Sequence, residues 1–202
     1  MPDASGISPD RDMRRRILDA AAVQLAESGY KATTLRAIAD AAGLKAGSIY
    51  YHFASKDQIT VEVLNEGVEQ VSDAVRAAAE QAAGLDGGDI LRAAITAHLT
   101  ALAEHSSYTR ASIRCFSMVP EEIRKETVET RRRFDAVWLG VLETVRAKGA
   151  LPAAADLKSL HLIILGTLNW TLELHGDKGD RDRRTLLDTL SRVVLSNGNS
   201  GA

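Results

Sequence analysis

The chain of 202 residues contains little of what several large classes of protein depend on. Its single cysteine, Cys115, excludes an intramolecular disulfide and fits a reducing compartment. It has only four prolines, and no segment shows the period-two alternation between turn residues that predicts a strand. We therefore predict an all-α fold of about nine helices.

Motifs for catalysis and for membranes are also missing. The sequence has no glycine-rich phosphate loop, no nucleophile elbow and no metal-spaced cluster of His, Cys and Glu, so we expect no enzyme, no metal and no cofactor. No run of about 18 apolar residues could span a membrane, and the residues after Met1 lack the apolar core of a signal peptide. We expect a cytoplasmic protein with no membrane partner.

The stretch from Thr33 to Lys56 organises the amino-terminal part of the chain. It predicts two short helices joined at Gly43 and a third that begins at Ser55. The first has apolar residues at i, i+3, i+4 and i+7, namely Leu35, Ile38, Ala39 and Ala42. Thr33 or Thr34 can cap its start, and Gly43 can adopt the left-handed conformation that ends a helix.

The second of these helices has the character of one that enters the major groove of DNA. Ile49 and Phe53 are four residues apart and should point inward. The opposite side offers small residues for close approach, a lysine for a guanine edge or phosphate, and tyrosines for the backbone, while the next helix supplies a phosphate site at its amino terminus. The candidate DNA contacts are Thr34, Lys45, Ala46, Gly47, Ser48, Tyr50, Tyr51, His52 and Lys56.

A family resemblance rests on these residues. The run Ser48-Ile49-Tyr50-Tyr51-His52-Phe53, with Gly43 and Gly47 before it and Ser55-Lys56-Asp57 after it, resembles the DNA-binding domain of TetR-family transcriptional regulators. The resemblance is specific over about residues 12 to 60. It implies a homodimer on a near-palindromic double-stranded DNA operator, because a two-fold dimer reads two half-sites at once. The helix pattern alone leaves open a plain αα-hairpin with a solvated polar face.

The rest of the chain predicts a larger helical body. We expect a disordered arm at residues 1–11, the helix-turn-helix domain at 12–60, a ligand-binding and dimerisation domain at 61–196, and a frayed tail at 197–202. Residues 1–60 carry a small net positive charge and the remainder a net negative one, which agrees with an amino-terminal nucleic-acid face. The helices predicted at 156–175 and 182–196 should form the dimer interface; closure of the monomer core is the alternative.

The body also offers candidate ligand residues. His98 lies on an otherwise apolar helical stripe, where a hydrogen-bonded core histidine is the alternative to a ligand contact. The resemblance implies a small effector in a cavity among the body helices, and apolar walls with a few polar groups indicate a mainly hydrophobic one. In its Asn169-Trp170 pair, the chain resembles family members that respond to fatty-acyl or steroid coenzyme A thioesters. The candidate ligand residues are His98, Leu102, Phe116, Trp138, His161 and Asn169.

The sequence therefore predicts a repressor that a hydrophobic effector, such as an acyl-CoA or lipid-like molecule, releases from its operator. The residues do not distinguish repression from activation. A different-class alternative is a helical ligand-binding protein or enzyme whose amino-terminal helices are only structural. In that case His98, Cys115 and His161 could converge as a Cys–His pair.

Overall fold

Helices are the only regular secondary structure in the described part of the protein. The computed structural model describes residues 9–104 and 106–175, together with residues 185, 189–190 and 192–195. Within these residues there is no strand, which confirms the predicted all-α fold. The elements are α1 (Pro9–Ala32), α2 (Leu35–Ala41), a 3₁₀ helix (Ala46–Tyr51), α3 (Lys56–Gln81), α4 (Gly87–Glu104), α5 (Ser106–Cys115), α6 (Glu121–Ala147) and α7 (Leu157–His175). The predicted helix 182–196 and the predicted terminal segments 1–11 and 197–202 lie largely outside the described residues.

The helices form two compact units. The first comprises Met1–Gly67 and Ser107–Val128, and the second comprises Val68–Ser106 and Glu129–Ala202. Helices α3 and α6 therefore each have residues in both units. None of the described helices is long and apolar enough to cross a membrane.

Local sequence signals set the helix ends of the first unit. Gly43 follows the end of α2 with a φ angle of 70°, whereas Gly29 interrupts α1 near its end with a φ angle of 75°. This backbone conformation costs glycine little because it has no Cβ. Thr34 caps α2, its hydroxyl oxygen accepting the backbone N–H of the residue three positions on at 3.1 Å. Ser55 caps α3 in the same way, also at 3.1 Å. The predicted helix boundaries at Gly43 and Ser55 are thus confirmed.

The core of the first unit fixes the recognition segment, Ala46–Tyr51. Its fully buried large side chains are Ile17, Leu25, Ile38, Ile49, Phe53, Ile59, Leu64 and Ile123. Ile49 belongs to the recognition segment and Phe53 follows it, so burial of these two side chains holds the segment in place. Residues of α5 and the start of α6 share this core, so the unit is wider than the helix-turn-helix alone.

The second unit is built around α4, α6 and α7. Helix α4 packs against α7, and Trp138 of α6 is fully buried. Asp86 caps α4, because its carboxylate accepts the Asp89 N–H at 2.9 Å. A Cβ at Gly87 would lie 2.7 Å from the Cβ of Ala150, so this helix start requires glycine.

Candidate nucleic-acid interface and effector site

The recognition segment divides its side chains between core and solvent. Ile49 and Phe53 are buried, as predicted, whereas Tyr50 is 62% exposed and Tyr51 is 89% exposed. Lys45 and Gly47 are also exposed, and Ser48 is half-buried. The segment is a 3₁₀ helix that Ala46 begins, rather than a full α-helix. Two phenolic hydroxyls and an ammonium group are therefore available to meet phosphates or base edges.

Two predicted contacts flank this segment, and each has an internal role. Thr34 is exposed, and because its oxygen accepts a backbone N–H as a helix cap, its hydroxyl proton stays available for a phosphate. The outward orientation predicted for His52 is wrong, because only 14% of its side chain is exposed. Its Nδ1 lies 3.2 Å from Oδ1 of Asp10 on α1. Contact of His52 with DNA remains a prediction.

Lys56 has more internal partners than the sequence indicated. Its ammonium donates to the backbone oxygens of Tyr30 at 2.9 Å and Thr33 at 3.1 Å. The same Nζ lies 3.9 Å from the centre of the Tyr30 ring, a cation–π contact. The Tyr30 hydroxyl donates to Asp57 at 2.6 Å, and burial followed by this bond raises the pKa of Tyr30 to about 12. Lys56 thus ties the start of α3 to the end of α1.

Sequence reasoning missed the role of two arginines at the start of α1. Arg14 pairs with Glu62 of α3, and its guanidinium lies 4.6 Å from the centre of the Phe53 ring. Arg16 donates to the backbone oxygen of Ala42 at 2.7 Å. The sequence alone favours DNA contact or solvation for both side chains. They instead brace the helix-turn-helix, and their partners, distant in sequence, gave no local signal.

Three of the predicted effector residues come together in the second unit. Nε2 of His98 lies 3.4 Å from Oδ1 of Asn169, and the His98 ring centre lies 5.7 Å from that of Trp138. His98 and Trp138 are buried, as is Leu102 on the same helix as His98. The ring of Phe134 is 6.0 Å from His98 and adds an apolar wall. The cluster combines an apolar surround with a few polar atoms, as binding sites for hydrophobic ligands do.

Burial controls the charge of the histidines in this cluster. It lowers the pKa of His98 to about 4, with the Asn169 bond opposing the shift and His161 adding to it. His161 is also buried, and burial lowers its pKa against the opposing effect of Asp135, whose Oδ1 lies 3.7 Å from Nε2. Burial lowers the pKa of Arg131 to about 10, so this side chain remains a cation at neutral pH. The cluster therefore contains a neutral His98. The half-buried cation Arg131 lies on α6, the helix that also carries Trp138.

One predicted effector residue and two grooves of the second unit are not part of the His98 cluster. Phe116 belongs to the first unit, whereas the other five candidates belong to the second. A groove of about 550 Å³ in the second unit is lined mainly by small residues of α3 and α4, such as Ala78, Ala93 and Ala97. A second groove of about 320 Å³ has Val137 and Gly140 of α6 among its lining residues. Neither groove includes a predicted ligand residue.

The thiol of Cys115 is not arranged as a nucleophile. Its side chain is buried in the first unit, and the Sγ–H donates to the backbone oxygen of Leu25 at 3.3 Å. Burial raises the pKa of Cys115, whereas a nucleophilic cysteine needs a lowered one. This environment disfavours the Cys–His alternative.

Family models match both the amino-terminal and the carboxy-terminal part of the chain. Residues 17–63 match the family described as bacterial regulatory proteins of the tetR family. Residues 84–197 match the tetracyclin repressor-like C-terminal domain. The chain belongs to the TetR family of bacterial transcriptional regulators. Its predicted class, a ligand-responsive DNA-binding repressor, is thereby confirmed.

Individual relatives place the chain more closely within this family. It is 34% identical over 158 residues to the HTH-type transcriptional repressor KstR2 of Rhodococcus jostii strain RHA1, covering 78% of this chain and 76% of that protein. Among solved structures, the ketosteroid transcriptional regulator KstR2 of Mycobacterium tuberculosis matches with a TM-score of 0.76 at 22% identity, over 96% of this chain and 97% of that one. FadR of Bacillus subtilis in complex with stearoyl-CoA matches with a TM-score of 0.75 at 22% identity, over 91% and 98%. These two structures share the fold.

Proposed function

We propose that the protein is a homodimeric cytoplasmic repressor that binds a near-palindromic operator and leaves it when a mainly hydrophobic effector, an acyl-CoA or related thioester, binds the second unit. The observation that carries the DNA-binding part is the division within the recognition segment: Ile49 is buried while Tyr50 and Tyr51 are exposed. A segment anchored on one side and open on the other is what major-groove recognition requires.

The proposed DNA contacts retain most of those predicted from the sequence. They are Thr34, Lys45, Ala46, Gly47, Ser48, Tyr50, Tyr51 and His52. We assign Lys56 a different role, because its ammonium already donates to two backbone oxygens. In this assignment Lys56 positions α3 and the recognition segment, and the phosphate contact predicted from the sequence becomes the alternative.

The effector part rests on the buried cluster of the second unit. His98, Trp138 and Asn169 supply polar atoms within an apolar surround, and Leu102 and His161 extend it along α4 and α7. The solved structures that share the fold of this chain include a ketosteroid regulator and a regulator in complex with stearoyl-CoA. Arg131 supplies a cation suited to the phosphates of a coenzyme A thioester. The effector must bind the DNA-incompetent state more tightly, since equal affinity for both states shifts nothing.

The dimer part rests on an exposed apolar stripe of α7. Leu162 is 70% exposed and Trp170 is 61% exposed, and Ile163 beside them is exposed as well. Large apolar side chains at this spacing share one helix face, which a second copy of the chain would cover. Val193 in the described part of the predicted last helix is also exposed. We propose that α7 and the predicted helix 182–196 form the interface.

Selection of bound sequences from random duplex DNA tests the operator prediction. Purified full-length protein should enrich an inverted repeat, because two recognition segments bind two half-sites. That operator then serves to measure release by acyl-CoA thioesters of increasing chain length. If folded, dimeric protein enriches no sequence at low salt, sequence-specific DNA binding is overturned.

Substitution of Trp170 tests the interface. We expect Trp170→Asp to shift the protein from dimer to monomer in light scattering, because a carboxylate would be buried against its symmetry mate. Leu85→Asp is the matched control, since Leu85 is 51% exposed but lies outside α7. Dissociation by both variants, or by neither, would contradict an interface on α7.

A further inference from the structure

Three buried ring nitrogen atoms in the second unit lack hydrogen-bond partners among the described residues: Nδ1 of His98, Nε1 of Trp138 and Nε2 of His161. The first two lie on neighbouring rings. The His98 side chain is almost completely buried and that of Trp138 completely so. An unpaired buried polar group is costly, so a protein that retains two of them side by side gains something when they are paired. Both atoms lie in the proposed effector site, and any role they have in ligand binding rests on that proposed function.

The contacts of His98 show which hydrogen-bonding role each atom has. Oδ1 of Asn169 is an acceptor, so Nε2 of His98, 3.4 Å away, carries the hydrogen. Since the pKa of His98 is lowered to about 4, the ring is neutral at pH 7 and holds only one N–H. Nδ1 is therefore an unpaired acceptor. The indole Nε1–H of Trp138 is always a donor, so the pair consists of one acceptor and one donor.

The rings of His98 and Trp138 are neighbours. Their centres are 5.7 Å apart and their planes make an angle of 55°. A carbonyl oxygen could only accept from Trp138, and a hydrocarbon could satisfy neither atom. A hydroxyl group both donates and accepts.

We propose that the effector has a hydroxyl group on its hydrophobic part, which donates to Nδ1 of His98 and accepts from Nε1 of Trp138. The ligand class is thus a hydroxylated acyl or ring thioester rather than a plain fatty acyl one. The Phe134 ring, 6.0 Å from His98, makes the surroundings of this hydroxyl apolar. In such surroundings a missing hydroxyl leaves both protein atoms unpaired, which is the strongest basis for discrimination between similar ligands.

Calorimetric titration of the full-length protein with matched thioesters tests this proposal. The ligands are decanoyl-CoA, 3-hydroxydecanoyl-CoA and 10-hydroxydecanoyl-CoA, which place a hydroxyl at opposite ends of the same chain. We expect at least one hydroxylated ligand to bind about tenfold more tightly than decanoyl-CoA. Trp138→Phe removes the donor and His98→Phe removes the acceptor, and each should reduce this ratio to about twofold or less. Phe134→Leu is the control, because it should weaken all three ligands without changing their ratio.

The possible outcomes separate this proposal from the function on which it rests. Equal binding of all three thioesters would overturn the hydroxyl assignment and leave the acyl-CoA effector intact; a buried water that serves both nitrogen atoms would give this result. A preference that survives in both Trp138→Phe and His98→Phe would also overturn it. If no thioester binds to protein that binds its operator, the effector class itself is wrong and the hydroxyl assignment fails with it.

Discussion

The two units differ in how they treat polar side chains. In the first, charged groups have protein partners: Arg15 pairs with Asp19 at 2.9 Å and also with Glu66, and Tyr108 donates to Asp19 at 2.7 Å. In the second, buried nitrogens of His98 and Trp138 have none within the described ranges of the chain. A unit whose polar groups are paired has one preferred arrangement, and a unit with unpaired groups is stabilised when a ligand pairs them.

This difference fits the two proposed tasks, which are DNA recognition by the first unit and effector binding by the second. A DNA reader must hold its contacts in a fixed geometry, whereas a sensor needs a state that its ligand can favour. The contrast is not absolute, because Oδ1 of Asn65 in the first unit also lacks a partner in the part of the chain that the structure describes. The contrast between the units predicts that substitutions in the first unit change the free energy of unfolding and the operator affinity. Substitutions around His98 should change the pH dependence of stability and the affinity for the effector.

The largest expected effect is a loss of stability from a substitution at a closely packed position of the first unit. A Cβ at Gly67 on α3 would lie 2.7 Å from the carbonyl carbon of Tyr108 and closer still to its oxygen. Because backbone atoms cannot move aside like a flexible side chain, we expect Gly67→Ala to lower the free energy of unfolding by about 3 kcal/mol. Denaturant titration measures this change.

A matched glycine supplies the control. Gly140 in α6 of the second unit has no atom of a described residue within 4 Å of an added Cβ. Gly140→Ala should therefore raise the free energy of unfolding by about 0.5 to 1 kcal/mol, since alanine favours a helix more than glycine does. If Gly67→Ala were as well tolerated as Gly140→Ala, the two helices α3 and α5 would not be in close contact at Gly67.

The pH dependence of stability should show the next effect, and it belongs to the second unit. The pKa of His98 is about 4 in the folded protein, against its ordinary 6.5 in the unfolded chain. Between these values the unfolded chain binds the extra proton, so stability is present above pH 6.5 and is lost as the pH falls towards 4. At about pH 5 we expect a loss of about 2 kcal/mol from this group.

The variant His98→Gln isolates this contribution. Unfolding free energies of wild type and variant are compared at about pH 7.5 and about pH 5, at one protein concentration. The wild type should lose about 2 kcal/mol more than the variant over this interval. The cost of the substitution itself cancels in that comparison. A parallel loss in both proteins would mean that His98 is not held neutral by burial.

The sequence predicted best what depends on neighbouring residues. A cap at Thr33 or Thr34, a helix start at Ser55 and the turn at Gly43 follow from local backbone chemistry, and all three are confirmed, with Thr34 as the cap. Burial of Ile49 and Phe53 followed from helical spacing. Most of the fold could therefore be predicted from spacing and turn residues.

The sequence failed where partners are distant along the chain. The ion pair of Arg14 with Glu62 and the bonds of Lys56 to Tyr30 and Thr33 depend on helix packing. His98 was expected on an apolar stripe, but the lack of a described partner for its Nδ1 could only be seen once the surrounding helices were placed. Local patterns therefore predicted the elements and the recognition segment, and tertiary packing decided the roles of individual polar groups.

A more moderate effect is expected at the proposed DNA-contacting surface. Tyr51 is the more exposed of the two tyrosines on the recognition segment. Tyr51→Ala should weaken operator binding by about tenfold, or about 1.4 kcal/mol, because it removes a proposed phosphate contact. The free energy of unfolding should hardly change. Gel-shift titration together with denaturant titration measures both quantities, and unchanged affinity would remove Tyr51 from the proposed contacts.

Two lysines of the first unit should differ in which quantity they change. Lys45 is exposed, whereas the Lys56 ammonium donates to two backbone oxygens. Lys45→Ala should reduce the slope of log affinity against log salt by about one, the value for one phosphate contact. Lys56→Ala should leave that slope unchanged, and should lower the free energy of unfolding by about 1 to 2 kcal/mol because two charge-assisted hydrogen bonds are lost. If the slope falls by about one for Lys56→Ala at unchanged stability, Lys56 is the phosphate contact that the sequence predicted, and the first unit has one fewer internal brace.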